Sequence, residues 1–325
     1  MSGWETTRLS KHFILLDFMA DHAIYKSRIG LLFDQHWNSG YQQIAEQVCV
    51  DLLEPMIEAF GLFSVADAFW PQVIEQADKK AHAGSRFGPK HRWQDGEATV
   101  DIALWDLVDK GITGKALKDR IESLAYIAAC RDRVITYPNT EFACVTWKKA
   151  GAKKGGSYLT SKKQSLRAHH IRVGRSFCLL DFCRNAAALE AGQRMVPPVD
   201  KDTADYKPIT QEEVARACAA LLDPLVARLG RVSVIRGIEA AGFASDAEAA
   251  AHHWDDPARP CRIKAVLPQG TEAKEAKAML DGQPGVEALE FWEHPSEASA
   301  LSLTFRPDQV SRLAVPPRGL RPVYG

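Results

Sequence analysis

The 325-residue sequence lacks long apolar runs, net charge and paired cysteines. Its apolar stretches, such as Phe13 to Leu16 and Cys178 to Leu180, fall far short of the roughly 20 residues that a membrane-spanning helix needs. Its 41 basic and 41 acidic residues balance, which argues against a whole-surface electrostatic nucleic-acid binder. No basic segment followed by an apolar one opens the chain, so no secretory signal is expected. The seven cysteines (49, 130, 144, 178, 183, 218 and 261) are scattered, with no Cys-x-x-Cys pair. That pattern predicts free thiols in a reducing cytoplasm. Also missing are a Gly-x-Ser-x-Gly elbow and a Gly-rich phosphate loop of the right spacing.

What the sequence does contain is an ordinary globular composition, 46% apolar and 25% charged, and a repeat. Arg8, Phe13, Leu15, Leu16, Asp17 and Phe18 recur without a gap at Arg172, Phe177, Leu179, Leu180, Asp181 and Phe182. Cys49-Val-Asp-Leu-Leu-Glu-Pro through Gly61 matches Cys218-Ala-Ala-Leu-Leu-Asp-Pro through Gly230, and Ser64-Val65 matches Ser233-Val234. His91, Trp93 and Asp95 match His252, Trp254 and Asp256, and Val145-Thr-Trp147 resembles Leu303-Thr-Phe305. A spacing of about 165 residues is that of a domain duplication rather than a solenoid unit. The expected organisation is a first domain over 1–150, a basic linker over 151–167 and a degenerate second copy over 168–325. No acidic residue occurs between Phe142 and Leu180. The lysine pairs there read as a solvated connector, with nucleic-acid contact as the weaker reading.

Helical spacing of apolar residues runs from Tyr41 to Phe60 and again from Thr210 to Leu229, each stopped by a glycine. Thr210 and Glu213 form a capping-box pattern. Pro55 and Pro224 should kink or break these helices. Further helices are expected over Lys115 to Cys130 and Glu272 to Leu280. Strands are expected at Leu62–Val65, Ala98–Leu104, Phe142–Trp147, Val232–Ile235, Cys261–Leu267 and Ala300–Phe305. Each half is therefore predicted as an α+β unit, a central helix over a small antiparallel sheet.

The residues suited to chemistry cluster in the first half. His91 precedes Gly96, Ala98 and Asp101, so an imidazole on a loop leads into a carboxylate on a strand. The segment Leu9-Ser-Lys-His-Phe-Ile-Leu-Leu-Asp-Phe18, the helix ending Leu53-Glu-Pro-Met56 with Gly61, and this His-to-Asp motif together resemble the zinc-dependent D-Ala-D-Ala carboxypeptidase and phage endolysin family, of the Hedgehog-like peptidase fold. The resemblance covers about residues 8 to 147, and more faintly 172 to 305. It implies His91 as the first zinc ligand and Asp101 as the second. Glu141-Phe-Ala-Cys144 resembles the family's Glu-x-x-His strand, which implies Glu141 as general base and Cys144 as the third ligand in place of histidine. A thiolate is a competent zinc ligand, and such a set also suits iron or copper.

The sequence departs from the family in other places. Ala66-Asp-Ala-Phe69-Trp70 replaces a Ser-Gly-Tyr-Arg turn, without the family's substrate-holding arginine, which argues against a peptidoglycan substrate. The spacing after His91 is longer than in the family motif. In the second half Arg262 stands at the expected Asp101 position and Ser302 near that of Cys144, so that half reads as an inactive copy. His252, His253, Asp255 and Asp256 read as a polar helix end, and Trp93 and Trp254 as shared core aromatics rather than a substrate platform.

Two functions fit. One is a cytoplasmic metal-dependent enzyme hydrolysing an amide bond or acting on a small amino-acid-like or peptide substrate. The alternative is a non-catalytic binding or structural protein of phage or bacterial origin on the same scaffold. Neither calls for a membrane or nucleic-acid partner.

Overall fold

The computed structural model describes residues 7–19, 39–68, 93, 97–112, 114–123, 131–136, 142–148, 172–182, 209–242, 259–294 and 298–310. The chain divides into two compact bodies. Ile14–Leu166 with Leu320–Gly325 make the first, and Met1–Phe13 with Arg167–Gly319 the second. The class is α+β with antiparallel sheets.

In the first body, helix α1 (Ser39–Val48) runs into a π-helical turn (Cys49–Leu53) and then α2 (Glu54–Phe60). The turn is where the expected proline effect appears. The Glu54 N–H reaches back to the Cys49 carbonyl, one residue further than an α-helix allows. That shift immediately precedes Pro55, which has no N–H of its own to donate. Gly61 ends the helix at φ +84°, a left-handed conformation, with its N–H on the Ile57 carbonyl at 2.9 Å. A Cβ there would stand 2.9 Å from Asp106 Oδ2.

Strands β1 (Ser64–Asp67), β2 (Glu97–Ala103), β3 (Arg131–Thr136) and β4 (Phe142–Lys148) form an antiparallel sheet in the order β1-β2-β4-β3. Two short helices, α3 (Trp105–Val108) and α4 (Gly114–Glu122), lie between β2 and β3 in the chain. Helix α4 covers the start of the expected Lys115 to Cys130 helix. Residues 124–130 lie outside the described residues.

The second body holds α5 (Leu179–Phe182), α6 (Ile209–Leu229), β5 (Ser233–Ala240), β6 (Cys261–Val266), α7 (Ala273–Leu280), β7 (Val286–His294) and β8 (Ala298–Phe305). Its sheet has the order β5-β6-β8-β7, again antiparallel throughout. Helix α6 continues through Pro224, so the second proline breaks nothing. Gly230 stops it at φ +108° with its N–H on the Val226 carbonyl. Leu222, Leu225 and Val226 of α6 are buried, as are Ile263 and Ala265 of β6 and Leu301, Leu303 and Phe305 of β8.

The sheets agree beyond strand order. Between β1 and β2 the register slips between Val65 and Asp67; between β5 and β6 it slips between Val234 and Arg236, and β5 slips again between Arg236 and Glu239. Between β3 and β4 it slips at Arg131/Arg133, opposite Trp147 and Thr146. Between β7 and β8 it slips at Val286/Ala288, opposite Phe305 and Thr304. A bulge reorients every side chain beyond it, so its position is a specific feature of a sheet.

The repeated Leu-Leu-Asp-Phe segment has one local structure in both places. Asp17 Oδ2 accepts the Ile14 N–H at 2.9 Å, and Asp181 Oδ2 accepts the Cys178 N–H at 2.8 Å. In return the Asp17 N–H donates to the Ile14 carbonyl and the Asp181 N–H to that of Cys178, both at 3.0 Å. Each carboxylate is buried, so each caps a tight turn where water cannot replace it. Residues 8–13 belong to the second body. Arg8 Nη2 donates to the Leu267 carbonyl at 3.0 Å, the Gln269 N–H donates to that of Lys11, and the Arg231 guanidinium lies over the Phe13 ring at 5.2 Å.

Two stability outcomes follow. Asp17→Ala and Asp181→Ala each strand a buried backbone N–H and should each destabilise their body by about 1–3 kcal/mol, read from urea unfolding. The second concerns Asp223, whose carboxylate accepts the Arg175 N–H through both oxygens at 2.8 and 2.9 Å. Burial pushes its pKa up to about 6, against the lowering effect of that N–H and of Arg172. The native state then holds the proton more tightly than the unfolded chain. This group's contribution to stability is full below about pH 4 and is lost as pH rises to about 6. Asp223→Asn should gain stability relative to wild type across that window and show a constant difference above it.

Candidate functional site

Strand β2 is the central strand that carries the expected carboxylate. Ala98, Val100 and Ile102 point to one face, and Thr99 and Asp101 to the other, by the two-residue strand period. All five are buried, with Asp101 only 3% exposed. A carboxylate this enclosed needs polar or cationic company, because water no longer solvates it.

The register supplies neighbours from distant parts of the chain. On one side Asp101 stands opposite Cys144 of β4. On the other it stands opposite Asp67 of β1, across the bulge. Two of the residues expected from the sequence, Asp101 and Cys144, are thus brought to directly opposed positions on hydrogen-bonded strands. His91 and Glu141 lie outside the described residues, as do His252, His253, Trp254, Asp255 and Asp256.

The chain near His91 is tied to the same strand. Trp93 is 1% exposed, and its Nε1–H donates to the Thr99 carbonyl at 3.0 Å. Its ring meets Phe18 edge-on, with centroids 5.5 Å apart. The backbone there has φ +45°, the left-handed region that costs a bulky residue about 1–3 kcal/mol. Packing and the hydrogen bond hold that conformation. Trp93 is therefore a core aromatic, as expected, and it pins the chain two residues beyond His91 to a point on β2 two residues before Asp101. At the far end of β4, Trp147 Nε1–H donates to Asp51 Oδ2 at 3.0 Å.

In the second body, Ser233 pairs with Val266 as Ser64 pairs with Ala103, and Val266 pairs with Ala300 as Ala103 pairs with Phe142. Counting from these pairs, Lys264 takes the Asp101 position and Ser302 that of Cys144, while Arg236 takes that of Asp67. The expected placement of Arg262 at the Asp101 position is corrected by two residues. The sequence comparison ran forward from the histidines through segments of unequal length, whereas strand register fixes the count. Arg262 instead grips Glu239, its Nη2 and Nε donating to Oε1 at 2.7 and 2.9 Å. Glu239 is 2% exposed and stands opposite Arg262 in the register.

Asp67 and Arg236 are the positions that sequence reasoning missed. The signal lay two residues past the matched Ser64-Val65 and Ser233-Val234, where the repeat exchanges an acid for a base.

The buried Cys218 of α6 is not suited to act as a nucleophile. Burial first, then Cys261 and Asp223, push the Cys218 thiol well above the ordinary range, so it stays protonated. Among the described residues no group of three or more His, Cys, Asp or Glu side chains is gathered as a metal site, and no helix is long and apolar enough to cross a membrane. The chain matches no protein-family model, no curated protein and no solved structure.

The Glu239–Arg262 pair yields a test. Arg262→Ala leaves a buried carboxylate without its cation. With Arg262 itself one-third exposed, the expected loss is about 1–3 kcal/mol rather than the larger cost of breaking a fully buried pair. Adding Glu239→Gln should recover part of it, measured as a double-mutant cycle in urea.

Proposed function

We propose that the chain is a tandem duplication of a D-Ala-D-Ala carboxypeptidase-like unit, and that its first body is a metal-dependent hydrolase. The substrate class is an amide bond in a small amino-acid-like or peptide molecule, met in the cytoplasm. The duplication is supported by the matched strand orders, the paired bulges and the twice-built aspartate cap.

The observation that carries the catalytic reading is the opposition of Asp101 and Cys144 on β2 and β4. These residues are 43 positions apart in sequence, and the sheet register sets them side by side. Asp67 stands on the other side of Asp101, so two acidic positions face each other across neighbouring strands. Like charges so placed are unfavourable, and a bound cation offsets them. A carboxylate, a thiolate and an imidazole form a donor set that zinc accepts.

In this reading Asp101, Cys144 and His91 hold the metal. Zinc there supplies Lewis-acid polarisation of the scissile carbonyl and a water acidified toward a pKa of about 7. Trp93, two residues after His91 in the chain, is fixed to Thr99 of the same strand as Asp101. Glu141, three residues before Cys144, takes the proton of the attacking water and returns it to the leaving amine. Lys264 and Ser302 cannot make the same metal set, so one metal is expected per chain rather than two.

Elemental mass spectrometry of protein purified without added metal tests this. About one metal per chain is expected, lost in His91→Ala and Cys144→Ala, with amide hydrolysis lost in Glu141→Gln while the metal stays. A native protein that remains metal-free after reconstitution with zinc overturns the enzyme and leaves a duplicated binding or structural module.

A further inference from the structure

Residues 8–13 belong to the second body, yet the chain that follows them builds the first. The passage falls at the peptide bond between Phe13 and Ile14, two residues with no exposed surface. We infer that the second body anchors this segment and, through it, holds Trp93 in place on strand β2 of the first body.

The anchored segment is one of two turns of the same build. Leu9 and Ser10 both donate their N–H to the Phe13 carbonyl, at 3.0 and 3.3 Å, as Val173 and Gly174 do to that of Phe177. An arginine opens each turn and donates to the carbonyl three residues on, Arg8 to Lys11 and Arg172 to Arg175, both at 3.4 Å. What holds them differs. The turn at 172–177 lies against α6, where Asp223 accepts the Arg175 N–H and a Cβ on Gly174 would meet that of Ala219 at 2.6 Å. The turn at 8–13 is held by the chain after β6 and by the end of α6. Arg8 Nη2 donates to the Leu267 carbonyl, and the Gln269 N–H to that of Lys11. The Arg231 guanidinium, itself buried, covers the Phe13 ring. His12 sits close beside Gly230, where a Cβ would stand 3.1 Å from its Nε2.

Past Phe13 the chain stays bonded at each step. The Ile14 N–H donates to Asp17, the Asp17 N–H donates back to Ile14, and Phe18 meets Trp93 edge-on. A segment fixed this closely transmits a displacement that a flexible linker would absorb. Trp93 needs the support, because its backbone is held in the left-handed region by packing and one hydrogen bond. Arg8 and Arg231 are therefore positioning residues that act on Trp93 through residues 13–18. The inference is independent of whether the first body binds a metal.

Nuclear magnetic resonance of the full chain, labelled with ¹⁵N in tryptophan, tests it through hydrogen exchange of the Trp93 indole N–H. That signal is identified by its loss in Trp93→Phe, and its exchange reports local opening because the side chain is buried. Arg8→Ala and Arg231→Leu should each speed the exchange by about threefold to tenfold, as expected for the loss of one hydrogen bond or cation–π contact. Leucine is the replacement at 231 because Leu62 follows Gly61 as Arg231 follows Gly230. Arg262→Ala, which breaks the ion pair to Glu239 and leaves the segment alone, should not change it. Circular dichroism confirms that the variants are folded, and Arg8→Ala carries the test should Arg231→Leu unfold. Wild-type exchange at Trp93 in Arg8→Ala overturns the inference. So does an equal acceleration in Arg262→Ala, which would mark the effect as general loss of stability.

Discussion

Everything specific in this protein depends on the central strands β2 and β6 being hydrogen-bonded along both edges. A strand with neighbours on both sides has no freedom to slide, because a one-residue slip would turn its buried side chains to the wrong face. Strand β2 is held by β1 on one edge and β4 on the other, and β6 by β5 and β8. The long excursions between β2 and β4, and between β6 and β8, then matter less than the register at which the chain returns. That register sets Asp101 beside Cys144 and Lys264 beside Ser302.

The bulges add the second constraint. Each adds a residue to one strand, and the added residue decides what lies opposite the central strand beyond it. Without the bulge after Val65, the residue opposite Asp101 would be Ala66, one position earlier. The same shift in the second body brings up Arg236 in place of Ile235. The bulge is therefore what sets two residues of like sign opposite each other, in both bodies and at the same step of the ladder.

Much of this architecture was legible in the sequence, for identifiable reasons. Gly61 and Gly230 mark helix ends because the left-handed conformation there favours glycine. The apolar runs at Ala98, Phe142, Cys261 and Ala300 are strands buried in the sheets. Strands β3 and β7 escaped notice because they are edge strands. Arg131-Asp-Arg133 opens one with charge, and Glu287, Glu290 and Glu293 punctuate the other, a pattern that protects edges and also suits a helix. Strand β5 runs to Ala240, past the expected end at Ile235, because Arg236 and Glu239 interrupt its apolar pattern. Asp101 and Cys144 could be nominated from their motif, yet their meeting is a property of register, which no local pattern in either segment encodes. Asp67 was invisible as a partner for the same reason.

The exchange of acid for base between the bodies falls at corresponding steps of their ladders. Converting Asp101 alone to lysine, with Asp67 kept, would make an opposed acid–base pair that satisfies itself and binds nothing. The second body does not have that arrangement: both opposed positions are cationic. Its buried acid, Glu239, is matched instead to Arg262 at the next row of the same face. Residues of like sign opposed on adjacent strands are unfavourable to a sheet, so the two bodies share one ladder of hydrogen bonds while differing in the sign of the positions that its bulge sets opposite each other.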